Sequence, residues 1–346
     1  MGYTLSATAP DLTGVTSAAF AITPGAAAQL VFTVQPGVAE AGTIIVPAVQ
    51  VTAQDAHGNT AADFAGNVTV ALAPNAAGGT VSGVTTVGAI AGVATFASLT
   101  VDIAASGYTL LATTTGLTGA TSAPFTITVG TATRLAFTVQ PSSATAGVTI
   151  APQVEVSAWD AQGNLVPNFA GSVTVAIGSN PGGGTLSGTM TVFAVGGVAA
   201  FPNLSIDKAG SGYTLSTSAS ALSGATSADF DITPGTATHL SFTVQPSTTT
   251  AGAIISPAVR VTGRDALGNT APSFAGNVTV AIGANPAGGD PLGGTRTFAA
   301  IAGVATFANL HVDSVGIGYT LTAVASGLVG ATSAPFDMLP STAAQL

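Results

Sequence analysis

Cysteine is absent from the 346 residues, and lysine and arginine together number only 5. Without cysteine there is no disulfide framework and no thiolate metal site. With a net charge of −9 and scattered basic residues, the chain has no electrostatic footprint for nucleic acid. Charged residues make up 5% of the chain, against about 25% in an ordinary soluble domain. A charged disordered tail is excluded too, because 47% of the residues are hydrophobic and charge runs are missing. No run of 18 apolar residues occurs, since Thr, Ser and Gly interrupt every stretch, so no spanning helix is expected. That test leaves a strand barrel open. The opening residues 1–10 carry neither a basic n-region nor an apolar h-region and do not read as a signal peptide.

What is present is repetition. The string FTVQP begins at Phe32, Phe137 and Phe242, and VTVA at Val68, Val173 and Val278, each 105 residues apart. GYTL begins at Gly2, Gly107, Gly212 and Gly318, with one extra residue in the last interval near Asp290-Pro291, where the other copies have a single Thr80 or Thr185. The unit is domain-sized, too long for a solenoid coil. The expected division is 1–25, the terminal hairpin of an incomplete repeat; 26–130, 131–235 and 236–340, three whole repeats; and 341–346, the start of a further one. A window cut from a longer array is the simplest account. A protomer donating its first hairpin to a neighbour is a second, and it lacks an obvious recipient.

Within a unit, Leu30, Phe32 and Val34 alternate with Val31 and Thr33, as do Val49, Val51 and Ala53 with Gln50, Thr52 and Gln54. Such alternation marks half-buried strands. Further strands are expected at Val68–Leu72, around Thr85–Ala89 and Val93–Ala97 joined at Ile90–Gly92, from Tyr108, and at Phe125 and Ile127. Turn signals recur and helical periodicity is missing. The chain therefore reads as all-β, tandem Greek-key sandwiches arranged as a rod through short linkers. Phe32, Phe64, Phe96, Tyr108 and Phe125 are the expected core, repeated as Phe137, Phe169, Phe201, Tyr213 and Phe230.

The unit resembles the tandem immunoglobulin-like repeats of large bacterial extracellular and surface proteins, of adhesin or fibre type. The resemblance is carried by FTVQPS with TAG (Phe137–Ser142, Thr145–Gly147), DAxGN (Asp265–Asn269), VTVAIG (Val278–Gly283), and GYTL followed by GLxGATS (Gly318–Leu321, Gly327–Ser333). It spans essentially the whole chain, and it implies an extracellular or cell-surface location, repetition and mechanical reach.

Candidate sites are few. Asp55, Asp160 and Asp265 recur in DAxGN and read as turn caps rather than calcium ligands, because calcium takes 6–8 oxygens and each unit repeats only two Asp. Tyr3, Tyr108, Tyr213 and Tyr319 each follow Gly at a strand start and read as tyrosine corners. Trp159, by alternation with Val154, Val156 and Ala158, is expected to be exposed. His57, His239 and His311 are not equivalent and form no ligand or triad spacing. No catalytic residue, metal or cofactor is assigned, and the chain is not expected to be an enzyme. Asn67, Asn203 and Asn277 match the N-x-[ST] acceptor pattern. Because Thr, Ser, Ala and Gly must cover the surface, hydroxyl-linked sugars or burial in a filament would also keep such a chain from aggregating. The favoured function is a structural extracellular segment of such an array, or a building block of a fibre. Its partners are other copies of itself or neighbouring repeats, with covalent glycans; nucleic acid and a membrane span are not expected. An adhesin stalk and a non-catalytic region of a larger secreted enzyme are the alternatives.

Overall fold

The computed structural model describes residues 2–341. The expected start of a further repeat at 341–346 lies, except for Ser341, outside the described residues. Two compact units are formed, one from Met1–Arg134 with Ala158–Phe169, the other from Leu135–Ser157 with Ala170–Leu346. All regular structure among the described residues is strand.

In the first unit, alternation becomes pairing as the sequence predicts. Gln29–Val34 pairs antiparallel with Val49–Gln54, which pairs with Val93–Phe96. The facing sheet runs Ala120–Thr121, Leu110–Thr113, Asn67–Leu72, Thr86–Gly88. A third, small sheet joins Ala105–Tyr108 to Phe125–Thr128 and, in parallel, to Ala39–Glu40. In the second unit the same three-sheet order is complete from His239 to Leu339, where Val259–Arg264, Asn277–Ile282 and Leu321–Val324 take the central positions.

Two features depart from the expected strands. Ile90–Gly92 does not close a hairpin within one sheet. Thr86–Gly88 pairs with Asn67–Thr69, whereas Val93–Phe96 pairs with Val49–Thr52, so the tight turn carries the chain from sheet to sheet. Likewise Tyr108, Leu110 and Ala112 do not share one strand. Gly107 sits at φ +80 and makes a bulge there; Tyr108 still pairs with Phe125 in the small sheet, and the chain enters the large one at Leu110. Alternation persists across the switch because both sheets face the same core, which is why the pattern reads as continuous.

That core gathers Leu30, Phe32, Val49, Val51, Val68, Val70, Phe96, Leu99, Tyr108, Leu110, Phe125 and Ile127. Each large side chain buried contributes about 1.5–3 kcal/mol. Phe64 is a correction: it is half-buried at the margin, its ring packed over Gly66. Phe137 and Phe169 are also half-buried.

The hairpin at residues 2–22 stands apart from any core. Tyr3 bridges Phe20, and Ser6–Ala7 pairs with Val15–Thr16, but Tyr3, Leu5, Phe20 and Ile22 are all exposed.

Candidate functional site

The recurring geometry of the chain lies in its DAxGN turns. Asp160 is buried at the end of Val154–Trp159, where the backbone must reverse. Its Oδ1 accepts from the N–H groups of Gln162 (3.0 Å) and Asn164 (2.8 Å), and its Oδ2 accepts from Gly130 N–H (3.1 Å) in the linker. The Asn164 side-chain amide also donates to Oδ2 (3.0 Å). Asp265 repeats the set with Leu267, Asn269 and Gly235, and Asp55 with His57, Asn59 and Gly25. Each carboxylate thus caps its own turn and clamps the linker thirty residues earlier. The sequence spacing points to the cap; the clamp on Gly25, Gly130 and Gly235 is new.

These bonds hold all three carboxyls below the ordinary carboxylate range. For Asp160 and Asp265, burial pushes upward, and the hydrogen bonds from Asn164 with Gly130, and from Asn269 with Gly235, outweigh it. For Asp55 the Asn59 side chain, followed by Gly25 N–H, is the main cause. With their oxygens occupied by N–H donors, these carboxylates are arranged as caps rather than as cation ligands. No cluster of three or more His, Asp or Glu suited to a metal occurs among the described residues.

The asparagine of each turn reaches further. Asn164 Oδ1 accepts from Ala104 N–H (3.0 Å), and Asn164 Nδ2 donates to Asp102 O (3.0 Å). Asn269 makes the same pair with Ala209 N–H and Asp207 O, both at 3.0 Å. One side-chain amide therefore satisfies a backbone donor and acceptor on a loop of the preceding copy, as a neighbouring strand would. Lys208, the single lysine, adds a bond from Nζ to Leu267 O at 2.7 Å.

The loop that receives the amide is itself held from below. Tyr108 is buried, and its hydroxyl donates to Ile103 O (3.0 Å), one residue from both junction atoms. Tyr213 does the same to Lys208 O (2.9 Å), and Tyr319 to Ser314 O (3.0 Å). Burial, with the nearby Asp102 charge, pushes the Tyr108 hydroxyl upward in pKa, so it remains a donor. Asp102 is pinned in turn by Thr80, through N–H (2.7 Å) and hydroxyl (2.8 Å). In the last copy Pro291 has no N–H to give Asp313, and the inserted Asp290 pairs with Arg296 at 2.6 Å. Tyr3 differs from its three equivalents: it is exposed, against Phe20 at 6.2 Å between ring centroids.

Beside each amide is a seat. Gly42, at φ +75, has the Gln162 side chain where a Cβ would stand. At Gly147, also φ +75, a Cβ would meet Leu267 Cδ1 at 2.8 Å. The glycine at this position is thus required twice over, for its backbone and for the knob it admits. The corresponding Gly252 has open space around it.

The remaining candidates separate. Asn67, Asn203 and Asn277 are all exposed. Asn203 is engaged as a loop clamp, accepting from Thr189 N–H at 2.8 Å, and Ser98 and Asn309 hold the equivalent loops. Trp159 is a correction. It is half-buried rather than exposed, because Arg134 stacks over its ring at 5.8 Å and Leu165 bridges beside it. Its Nε1 is buried without a partner.

No family model matches the chain, and no curated protein matches it. Solved structures do. The Escherichia coli adhesin FdeC is similar at 18% identity and a TM-score of 0.34, over 93% of this chain and 100% of that one. Invasin, a bacterial integrin-binding protein, is similar at 16% identity and a TM-score of 0.30, over 90% of this chain and 60% of that one. Domains 4–9 of the surface layer protein SbsC are similar at 16% identity and a TM-score of 0.24, over 96% and 53%. The all-β sandwich architecture rests on the strand pairing of the chain itself.

Proposed function

We propose that the chain is a structural segment of an extracellular or cell-surface array of immunoglobulin-like sandwiches, or a building block of a fibre made from them. The proposed units are 26–130, 131–235 and 236–340, preceded by a hairpin at 1–25 and followed by a further start at 341–346. The observation that carries this reading is the repeated amide lock, in which Asn164 and Asn269 each bond both the donor and the acceptor of the preceding loop. A spacer needs neighbours held in fixed orientation, and a two-bond lock on a preorganised loop supplies it. Sugars on Asn67 and Asn277, whose side chains are not engaged as Asn203 is, would cover a surface poor in charge.

Small-angle scattering tests the reading. The intact chain is expected to scatter as a stiff elongated particle. The double variant Asn164→Ala/Asn269→Ala is expected to broaden its distance distribution without unfolding. A distribution of freely jointed beads for the intact chain contradicts the proposal.

A further inference from the structure

The last copy differs from the two before it by an inserted residue, which places Asp290 directly before Pro291 where the others have Thr80 and Thr185. This Asp–Pro peptide occurs once in the chain. The loop leading to it is less tied than its counterparts. Asn75 and Asn180 each accept from the N–H and donate to the C=O of one glycine, Gly79 and Gly184. Asn285 donates to Gly289 O at 2.7 Å, but its Oδ1 is buried without a partner. Gly289 lies at φ +71 beside Gly288 at φ +72, and a Cβ on either would stand in open space. On the far side of the Asp–Pro bond the chain is fixed. Pro291 O accepts from Asp313 N–H at 3.1 Å, and Leu292 is buried and paired with Val312.

An ion pair spans the bond. Arg296 Nη1 donates to Asp290 Oδ2 at 2.6 Å, and Arg296 Nη2 donates to Leu292 O. One guanidinium therefore grips the Asp290 carboxyl and the backbone two residues on. The Asp290 side chain is 63% exposed, so water reaches it. The strand paired with Leu292–Gly293 carries His311 and, just beyond it, Asp313, and these two lie 3.7 Å apart. The hydrogen bond from Arg296 is the main cause that holds the Asp290 carboxyl below its ordinary range, against an opposing push from burial.

We propose that Asp290–Pro291 is a latent self-cleavage site, and that Arg296 sets the acidity at which it breaks. A carboxyl oxygen of Asp290 attacks the carbonyl carbon of its own residue and closes a five-membered cyclic anhydride, while the C–N bond to Pro291 breaks. The Pro291 nitrogen leaves with the electron pair of that bond and takes up the proton that the carboxyl gives up. Water then opens the anhydride, so the net reaction is hydrolysis of one peptide bond. Proline favours the step because its nitrogen carries no hydrogen and accepts a proton more readily than an ordinary peptide nitrogen. The rate follows the protonated carboxyl, so a carboxyl paired with Arg296 stays ionised and inert in mild acid. Thr80 and Thr185 offer no such carboxyl. After scission, Asn277–Ile282 still pairs with Thr297–Ala299 and Leu321–Val324, so the two pieces stay together until they are unfolded. The inference does not depend on the array reading. In an array, it marks the one copy where the chain is severed without a protease.

The test uses the full chain at about pH 4, near the ordinary carboxyl value. Trp159 fluorescence confirms that the chain is folded, and the sample is then denatured and weighed by mass spectrometry. A parallel incubation in urea supplies the state without the ion pair. The expected products are 1–290 and 291–346, formed slowly from the folded chain and severalfold faster in urea. Arg296→Gln should raise the folded rate severalfold, move the pH profile of scission upward and leave the urea rate unchanged. Arg296→Lys, which keeps the charge, should retain slow cleavage. Asp290→Ser should abolish both products in either state. Absence of scission at this bond in both states overturns the proposal. So does a folded rate equal to the urea rate, or an Arg296→Gln profile that matches that of the parent chain.

Discussion

At the scale of single residues, the turn carboxylates carry more than their turns. Replacing Asp265 by alanine leaves the N–H groups of Leu267, Asn269 and Gly235 without their acceptor. Of these only Asn269 is buried, and an unsatisfied buried donor costs about 1–3 kcal/mol. The expected loss of stability in urea therefore exceeds that of an ordinary surface turn. The pH dependence has a definite sign. The folded carboxyls lie below their ordinary value, so the unfolded chain binds more protons as the pH falls. Their contribution is complete above about pH 5 and is lost as the pH drops through roughly 4 and below. The urea midpoint should stay level from neutral to mildly acidic solution and then fall. A midpoint that rises on acidification would contradict the assignment. Tyr108→Phe, which removes only the hydroxyl bond to Ile103 O, should cost about 0.5–1.5 kcal/mol.

Elements show where local pattern is enough to read the structure and where it is not. The strand of Val49–Gln54 is legible because apolar Val49, Val51 and Ala53 alternate with polar Gln50, Thr52 and Gln54, although Thr52 is buried too. The turn at Asp160–Asn164 is legible because Asp and Gly have specific backbone uses. The switch of sheets between Tyr108 and Leu110 is hidden, since inward positions stay inward on both sides of it. Half-burial of Trp159 is hidden for another reason: the residue covering it, Arg134, lies on another strand. The reach of Asn164 to Ala104 joins residues sixty apart, and no local pattern reports such a contact. Between the sheets, Ala91 and Ala302 occupy φ +51 and +48, a region the middle copy fills with Gly196 at φ +62. A non-glycine residue there costs about 1–2 kcal/mol. Ala302→Gly should therefore raise stability, by less than that amount because glycine loses more entropy on folding. A lower melting temperature for this variant would show that the turn is not strained.

For the whole molecule, the central claim is that a side-chain amide couples each copy to the one before it. Ala104 and Ala209 donate their N–H groups to that amide, whereas Val315, their equivalent, has no acceptor among the described residues. The three amides are matched in position and in the tyrosine that supports their loops, so they form an internal comparison. Amide hydrogen exchange on the intact chain, at a concentration where it is monomeric, reads the lock directly. The account predicts slow exchange at Ala104 and Ala209 and fast exchange at Val315. It further predicts that Asn164→Ala releases Ala104 alone and Asn269→Ala releases Ala209 alone. Equal exchange at all three positions, or protection that survives both substitutions, would contradict it.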